Sequence, residues 1–164
     1  MGLLPDRRLA ELEALYRARH THFVRVARAI TGDPERAVEA VQDAFADAVR
    51  ARGSFRHDGA LEAWVWRAVV NAARKALRRP LVEVGAVPRT DAELAAPSAV
   101  HELSPVLARL PERQRLVVFL RYYADLDYRT IAEVLGIETG TVSATLSAAH
   151  SAVRRALEEV RADV

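Results

Sequence analysis

Arg67, Asn71, Arg74 and Arg78 follow one another at spacings of four, three and four residues, the repeat that lines side chains along one face of a helix. Lys75 and Arg79 widen the stripe, and Trp64 stands one turn earlier on the same line. Cations on such a face hold phosphates and release counterions, while an aromatic ring can stack on an unpaired base. The pattern suits a nucleic-acid strand. Glu39, Asp43 and Asp47 form an opposite stripe, four residues apart, on a helix whose other side carries Val38, Val41, Phe45 and Val49. Like charges at that spacing slightly destabilise a lone helix, so a basic partner would make sense of them; a merely solvated acidic face is the plain alternative.

A third pattern lies in Tyr128–Val142. Ile131 and Ala132 point inward from a short helix, Gly136 supplies a tight turn, and Ile137 plugs the gap. Thr139 can cap a final helix that returns Val142 and Leu146 to the core. This is the spacing of a helix-turn-helix, whose second helix presents its N-terminal face to a major groove. A helical hairpin stopped by glycine is the simpler alternative.

Other chemistries find little support. With no cysteine, the chain can carry no disulfide, thiolate zinc, iron–sulfur cluster or cysteine nucleophile. His20 and His22 diverge on a helix, and neither His57-Asp58 nor His101-Glu102 has further ligands at motif spacing. Gly136 to Thr141 lacks the lysine of a phosphate loop. We therefore expect no metal, no cofactor and no enzyme. The apolar runs fall far short of a bilayer span, and the N-terminus turns polar at once. These features predict no membrane insertion, no secretory signal and a cytoplasmic location.

The elements that must position these residues read as almost entirely helical. The periodicity predicts helices over about 9–30, 34–52 and 61–79, with Gly32 as a C-terminal cap and Asp33-Pro34 opening the second. Trp64 and Trp66 cannot share a helical face, and Trp66 is assigned to the core with Val70, Ala73 and Leu77. Prolines 80, 88 and 97 mark a linker, after which Pro111 opens a helix, 128–135 forms a short one, and about 140–160 the last. Charge follows the same division. Residues 1–80 hold 15 basic and 10 acidic residues (+5), 81–102 hold 1 and 4 (−3), and 103–164 hold 8 and 8 (0). The expected fold is all-α: two small helical domains, 1–80 and 103–164, joined by a flexible linker over 81–102, the second containing the helix-turn-helix. The halves are expected to move separately.

Leu110–Val142 resembles the C-terminal promoter-binding domain of the extracytoplasmic-function (ECF) sigma factors of bacterial RNA polymerase. Thr31–Pro34, Val41–Phe45, Phe55–Asp58, Ala63–Arg67 and Asn71 resemble, in the same order, that family's core-binding and promoter-melting domain. The resemblance implies a non-enzymatic initiation factor that binds core RNA polymerase and directs it to promoter DNA. By resemblance, Glu39, Gln42, Asp43 and Asp47 meet the polymerase clamp. Phe55, Arg56, His57, Asp58, Trp64, Arg67, Asn71, Arg74, Lys75 and Arg78 would bind and open the −10 element. Arg129, Thr139, Thr141, Ser143, Thr145, Ser147 and His150 would face the −35 element. An anti-sigma factor is the expected regulatory partner.

Two departures stand out. The segment Ser143–Val153 has no arginine or lysine where the family usually carries them, and Val70 stands where a second arginine usually precedes the asparagine. Hydroxyls can bond phosphates and base edges but lack arginine's bidentate reach to guanine. A sigma-like regulatory protein with weak or altered −35 recognition is therefore the alternative reading.

Overall fold

In a computed structural model, the structure describes residues 6–56, 60–80 and 98–163. Among them run seven α-helices: α1 (Arg7–Thr31), α2 (Pro34–Ala51), α3 (Leu61–Arg78), α4 (Ser98–Ala108), α5 (Glu112–Tyr122), α6 (Tyr128–Leu135) and α7 (Thr139–Ala162). A short 3-10 turn, Arg52–Ser54, follows α2. The fold is all-α, and among the described residues no helix is long and apolar enough to cross a membrane. Residues 81–97, most of the expected linker, lie outside the described residues, and α4 begins at Ser98, inside the span assigned to it.

The punctuation follows from residue chemistry. Gly32 takes a left-handed conformation at φ 70° and donates its N–H to the Arg28 carbonyl at 2.8 Å. Asp33 then accepts from the Arg36 N–H at 2.8 Å, and Pro34 occupies the first turn, where its missing donor costs nothing. Gly136 closes α6 in the same way at φ 65°. The expected Thr139 cap is not formed. Glu138 holds the N-cap position without a side-chain bond, and Thr139 is the first residue of α7.

α1, α2 and α3 pack mutually as a three-helix bundle, and α5 and α6 pack against α7 with α4 alongside it. Trp66 is fully buried and its ring lies 4.4 Å from Phe23, which in turn meets Phe45 edge-on at 5.2 Å. Val70 and Ala73 join this core, but Leu77 does not. At 46% exposure Leu77 stays outside this core. On α2 the inward face is built mainly from Ala37, Ala40, Val41, Ala44, Phe45 and Ala48, with Val38 and Val49 only half-buried at its margins. Small side chains let the helices approach closely, and the aromatics fill the space between them.

The two halves do not stand apart. α3 packs on α6 and α1 on α5, so one apolar core runs through both. Arg19 ties the second line of contact, donating to the Ala124 carbonyl at 2.6 Å and pairing with Glu62 at 3.1 Å. The receiving loop is held by Asp125 at φ 54°, a left-handed position that Asp tolerates better than most residues.

His22 lies close by, and its Nδ1 is buried with no hydrogen-bond partner among the described residues. Burial, then the charges of Arg19 and Arg25, hold its pKa below the ordinary histidine value, against a smaller opposing pull from Asp125 and Glu62. The folded ring thus binds its proton less tightly than the unfolded one. Stability contributed by this residue is intact above about pH 7 and falls as pH drops below about 6.5. Urea midpoints at pH 7.5 and 5.5 should show that loss, and His22→Gln should flatten it. Independently, Trp66→Ala should cost about 3–5 kcal/mol in the same assay.

Candidate nucleic-acid interface

The face of α3 turned away from Trp66 carries the basic stripe. Arg67, Asn71, Lys75 and Arg78 are exposed, and Arg74 is half-buried. Five positions on this one face present four cations and one amide. Phe55, in the segment before α3, lies 5.2 Å from Trp64 ring to ring, so the two aromatics sit at the head of the stripe as a tilted pair. The guanidinium of Arg8 lies over the Phe55 ring, 4.6 Å from its centroid. Arg8 is itself held by Glu11 at 2.7 Å. Arg56 is exposed beside them, while His57 and Asp58 lie outside the described residues.

Glu39, Gln42, Asp43 and Asp47 are all exposed on the outer face of α2, opposite Ala40, Ala44 and Phe45. Asp47 pairs with Arg50 on the same helix. This acidic face and the basic face of α3 belong to one bundle but to different helices, so opposite charges are displayed on separate surfaces.

The helix-turn-helix is built as its spacing requires. Ile131 is fully buried with Ala132 and Val134 beside it, and Val142 and Leu146 return from α7 into the same core. Asp127 caps α6 by accepting from the Thr130 N–H at 2.7 Å. That bond, then the one from the Thr130 hydroxyl, holds its carboxyl below the usual carboxylate range. Ile137 donates its N–H to the Ala132 carbonyl at 3.0 Å and packs half-buried over the turn.

Of the residues assigned to the second DNA element, Ser143, Ser147 and His150 lie along one exposed face of α7 and the others lie off it. Ser143 and Ser147 are exposed on the outer side of α7, Thr141 and Thr145 are half-buried, and His150 accepts or donates a 2.7 Å hydrogen bond with the Tyr122 hydroxyl of α5. Arg129 pairs with Glu133 at 3.5 Å. Arg129 and Thr139 instead line an open cleft of about 680 Å³ shared with Phe55, Arg56, Trp64 and Arg67. The turn of the helix-turn-helix thus faces the head of the basic stripe.

Comparison with known proteins follows the same division of the chain. Residues 15–80 match the Sigma-70 region 2 family model and residues 101–153 match Sigma-70, region 4. The ECF RNA polymerase sigma factor SigM of Mycobacterium tuberculosis is 34% identical over 152 residues, covering 88% of this chain and 76% of that protein. The chain belongs to the ECF sigma factors. The ECF RNA polymerase sigma-E factor of Escherichia coli (strain K12) is 31% identical over 134 residues, 70% of each chain. The fold is also that of CnrH in its complex with the cytosolic domain of CnrY, with a TM-score of 0.74, 21% identity, and 92% and 90% of the two chains covered. A structure of the sigma factor RpoE with the anti-sigma factor NepR from Bartonella quintana gives a TM-score of 0.67 at 19% identity, covering 92% and 96%.

In this sigma factor the region 2 match ends at the last residue before the undescribed segment and contains the whole of α2 and α3. Sequence reasoning missed Arg8 at Phe55 and the acceptors that α3 meets across the fold. Arg67 donates to the Glu133 carbonyl, and Arg74 reaches both carboxylate oxygens of Glu112, at 2.7 and 3.2 Å. No local signal marks these partners, which lie 66 and 38 residues away in sequence.

The Arg74–Glu112 pair is partly exposed on both sides, so it contributes at most about 1 kcal/mol. Arg74→Ala should therefore lower the thermal midpoint by no more than about 4 °C. Any larger functional loss in that variant cannot then come from unfolding. Gly136→Ala meets no atom within 4 Å, so its cost is the left-handed backbone alone, about 1–2 kcal/mol in chemical denaturation, with Gly136→Asn milder.

Proposed function

We propose that this ECF sigma factor docks on core RNA polymerase through the acidic face of α2 and opens promoter DNA with the basic face of α3. The observation that carries the reading is α3 itself. One side is a closed apolar face centred on Trp66; the other is a row of exposed Arg67, Asn71, Lys75 and Arg78 with half-buried Arg74 among them, headed by the Phe55–Trp64 pair. The cations take the phosphates of a separated strand, and Asn71 offers both a donor and an acceptor to a base edge. Flipping one base costs only a few kcal/mol, which stacking and backbone contacts can offset.

Glu39, Gln42, Asp43 and Asp47 supply an acidic surface suited to a basic helix of the polymerase. Residues 1–80 then act as the polymerase-binding and −10 melting domain, 81–102 as the connector, and 103–164 as the upstream DNA domain. The protein is a binding subunit with no catalytic step of its own, and it works in the cytoplasm. An anti-sigma factor is the regulatory partner we assign to it, supported by the RpoE likeness, whose structure is a complex with one.

The outer face of α7 favours a second role for the C-terminal half. Ser143, Ala144, Ser147 and Ala148 are exposed and uncharged, and the first cations on the helix are Arg154 and Arg155. A surface of hydroxyls and methyls reads a groove with little counterion release, so −35 recognition should be weak or of altered specificity. Arg129 and Arg113, both exposed, remain to anchor phosphates.

Run-off transcription with core enzyme, combined with sequencing of the DNA bound by the holoenzyme, tests this. Arg74→Ala should lose most promoter-specific transcript, and its log affinity against log salt should flatten by about one unit. Ser143→Ala should change the bound sequences little. The absence of any promoter-specific transcript from the unaltered protein would rule out initiation and leave the regulatory alternative. A separate charge reversal, Asp43→Arg, should weaken core association at least tenfold without altering the fold.

A further inference from the structure

The first turn of α1 reaches a segment that lies 46 residues further along the chain. Asp6 caps the helix with Oδ1, which accepts from the N–H groups of Arg8 and Leu9 at 3.1 and 3.2 Å. Its second oxygen, Oδ2, accepts from the Nε–H of Arg52 at 2.5 Å. Two residues on, Arg8 lays its guanidinium over the Phe55 ring, and Glu11 holds that guanidinium from the same helix at 2.7 Å. Arg52 and Phe55, both in the stretch between α2 and α3, are thus tied to one helix end.

That stretch needs support from elsewhere. After α2 it makes a single 3-10 turn, closed by the Ser54 hydroxyl donating to the Ala51 carbonyl at 2.7 Å, and at Phe55 the backbone is already extended. No repeating hydrogen-bond ladder orients a ring there, so its neighbours must. Trp64 supplies one neighbour from α3, and Arg8 supplies another from α1. The Arg8 side chain is only 17% exposed and already paired with Glu11, so it does not stand out to meet a phosphate as the α3 cations do. The Arg52 hydrogen bond, then the one from the Leu9 N–H, holds the Asp6 carboxyl below the usual carboxylate range, which keeps this tie charged at neutral pH. The region 2 match begins at residue 15, so Asp6, Arg8 and Glu11 all precede it.

We propose that the first turn of α1 is a latch for promoter opening: Asp6 fixes the Arg52–Ser54 turn through Arg52, Arg8 fixes the Phe55 ring, and the Phe55–Trp64 pair therefore meets an unstacked base in one set orientation. Asp6 and Arg8 are positioning residues that act through Phe55 and touch no DNA themselves. This rests on the reading of the aromatic pair as part of the −10 melting face. A ring held in place before binding loses little freedom when a base stacks on it, whereas a loose one must be ordered at that moment. The latch thus acts on the opening step and not on docking to core polymerase, whose acidic face lies on α2.

Promoter fragments recovered by the holoenzyme sequencing and carrying 2-aminopurine in the −10 element report opening, because the probe brightens when its base unstacks. With holoenzyme made from each variant, Arg8→Ala and Asp6→Asn should each weaken opening about three- to tenfold. Asparagine caps a helix as well as aspartate does, so Asp6→Asn keeps the start of α1 and removes only the charge that Arg52 meets. Arg17→Ala takes an exposed cation from the same helix and should leave opening unchanged. In a Phe55→Ala background neither latch substitution should weaken opening further, and the salt dependence should match that of the unaltered protein. A loss of the same size in both backgrounds overturns the latch, and a salt slope lowered by about one in Arg8→Ala identifies a phosphate contact in its place. Full opening by either latch variant, with Phe55→Ala weakened, also overturns the latch while leaving the aromatic pair in its role. Full opening by Phe55→Ala overturns the reading of the aromatic pair itself.

Discussion

Everything in this structure depends on α3 having two incompatible faces held in fixed register. Trp66, Val69, Val70 and Ala73 are buried against the bundle, which sets the rotation of the helix about its axis. Once that rotation is set, Arg67, Asn71, Arg74, Lys75 and Arg78 have one direction in which to point. A rigid, packed helix is a better platform for binding an extended strand than a loop, because less conformational entropy is lost on engagement. The aromatics divide in the same way. Trp66 is core and anchors the helix to Phe23, while Trp64, two positions earlier, reaches the margin and pairs with Phe55.

The C-terminal half has the shape for DNA without the charge that usually accompanies it. Its core is complete, from Ile131 and Val134 to Val142 and Leu146, and both ends of α6 are secured by Asp127 and Gly136. Yet the outer face of α7 carries serines and alanines. Such a helix can enter a groove, but it cannot draw itself there by counterion release. The positive charge of the N-terminal half and the neutrality of this one are two expressions of the same distribution of roles on the proposed reading. A neutral, cleft-lining turn is also better able than a basic one to rest against the cations of α3.

Much of this was legible in the chain because its signals are local. Gly32, Asp33, Pro34 and Gly136 punctuate helices through their own backbone chemistry, and the spacing of Arg67 to Arg78 and Glu39 to Asp47 places each set on one face without any tertiary information. What escaped was tertiary. The alanines that carry the α2 interface are weak hydrophobic signals, and Leu77 continues the spacing of core residues yet stays exposed. Thr139 is a good capping residue one position too late, displaced by Glu138. Nor does any local signal announce the hydrogen bond between His150 and Tyr122, 28 residues away. The seam between α3 and α6 that brings the two halves into contact is likewise something no periodicity could announce.

The claim that unites these features is that α3 both anchors the N-terminal bundle and holds the opened promoter strand. Permanganate reactivity of unpaired thymines on promoter DNA bound by the holoenzyme measures this directly. Paired substitution of Arg67 and Arg74 by alanine should abolish thymine reactivity while core association and the thermal midpoint stay near those of the unaltered protein. Alanine at Arg161, an exposed cation in the last turn of α7, should leave it largely intact. Undiminished reactivity in the doubly substituted α3 variant would contradict the account.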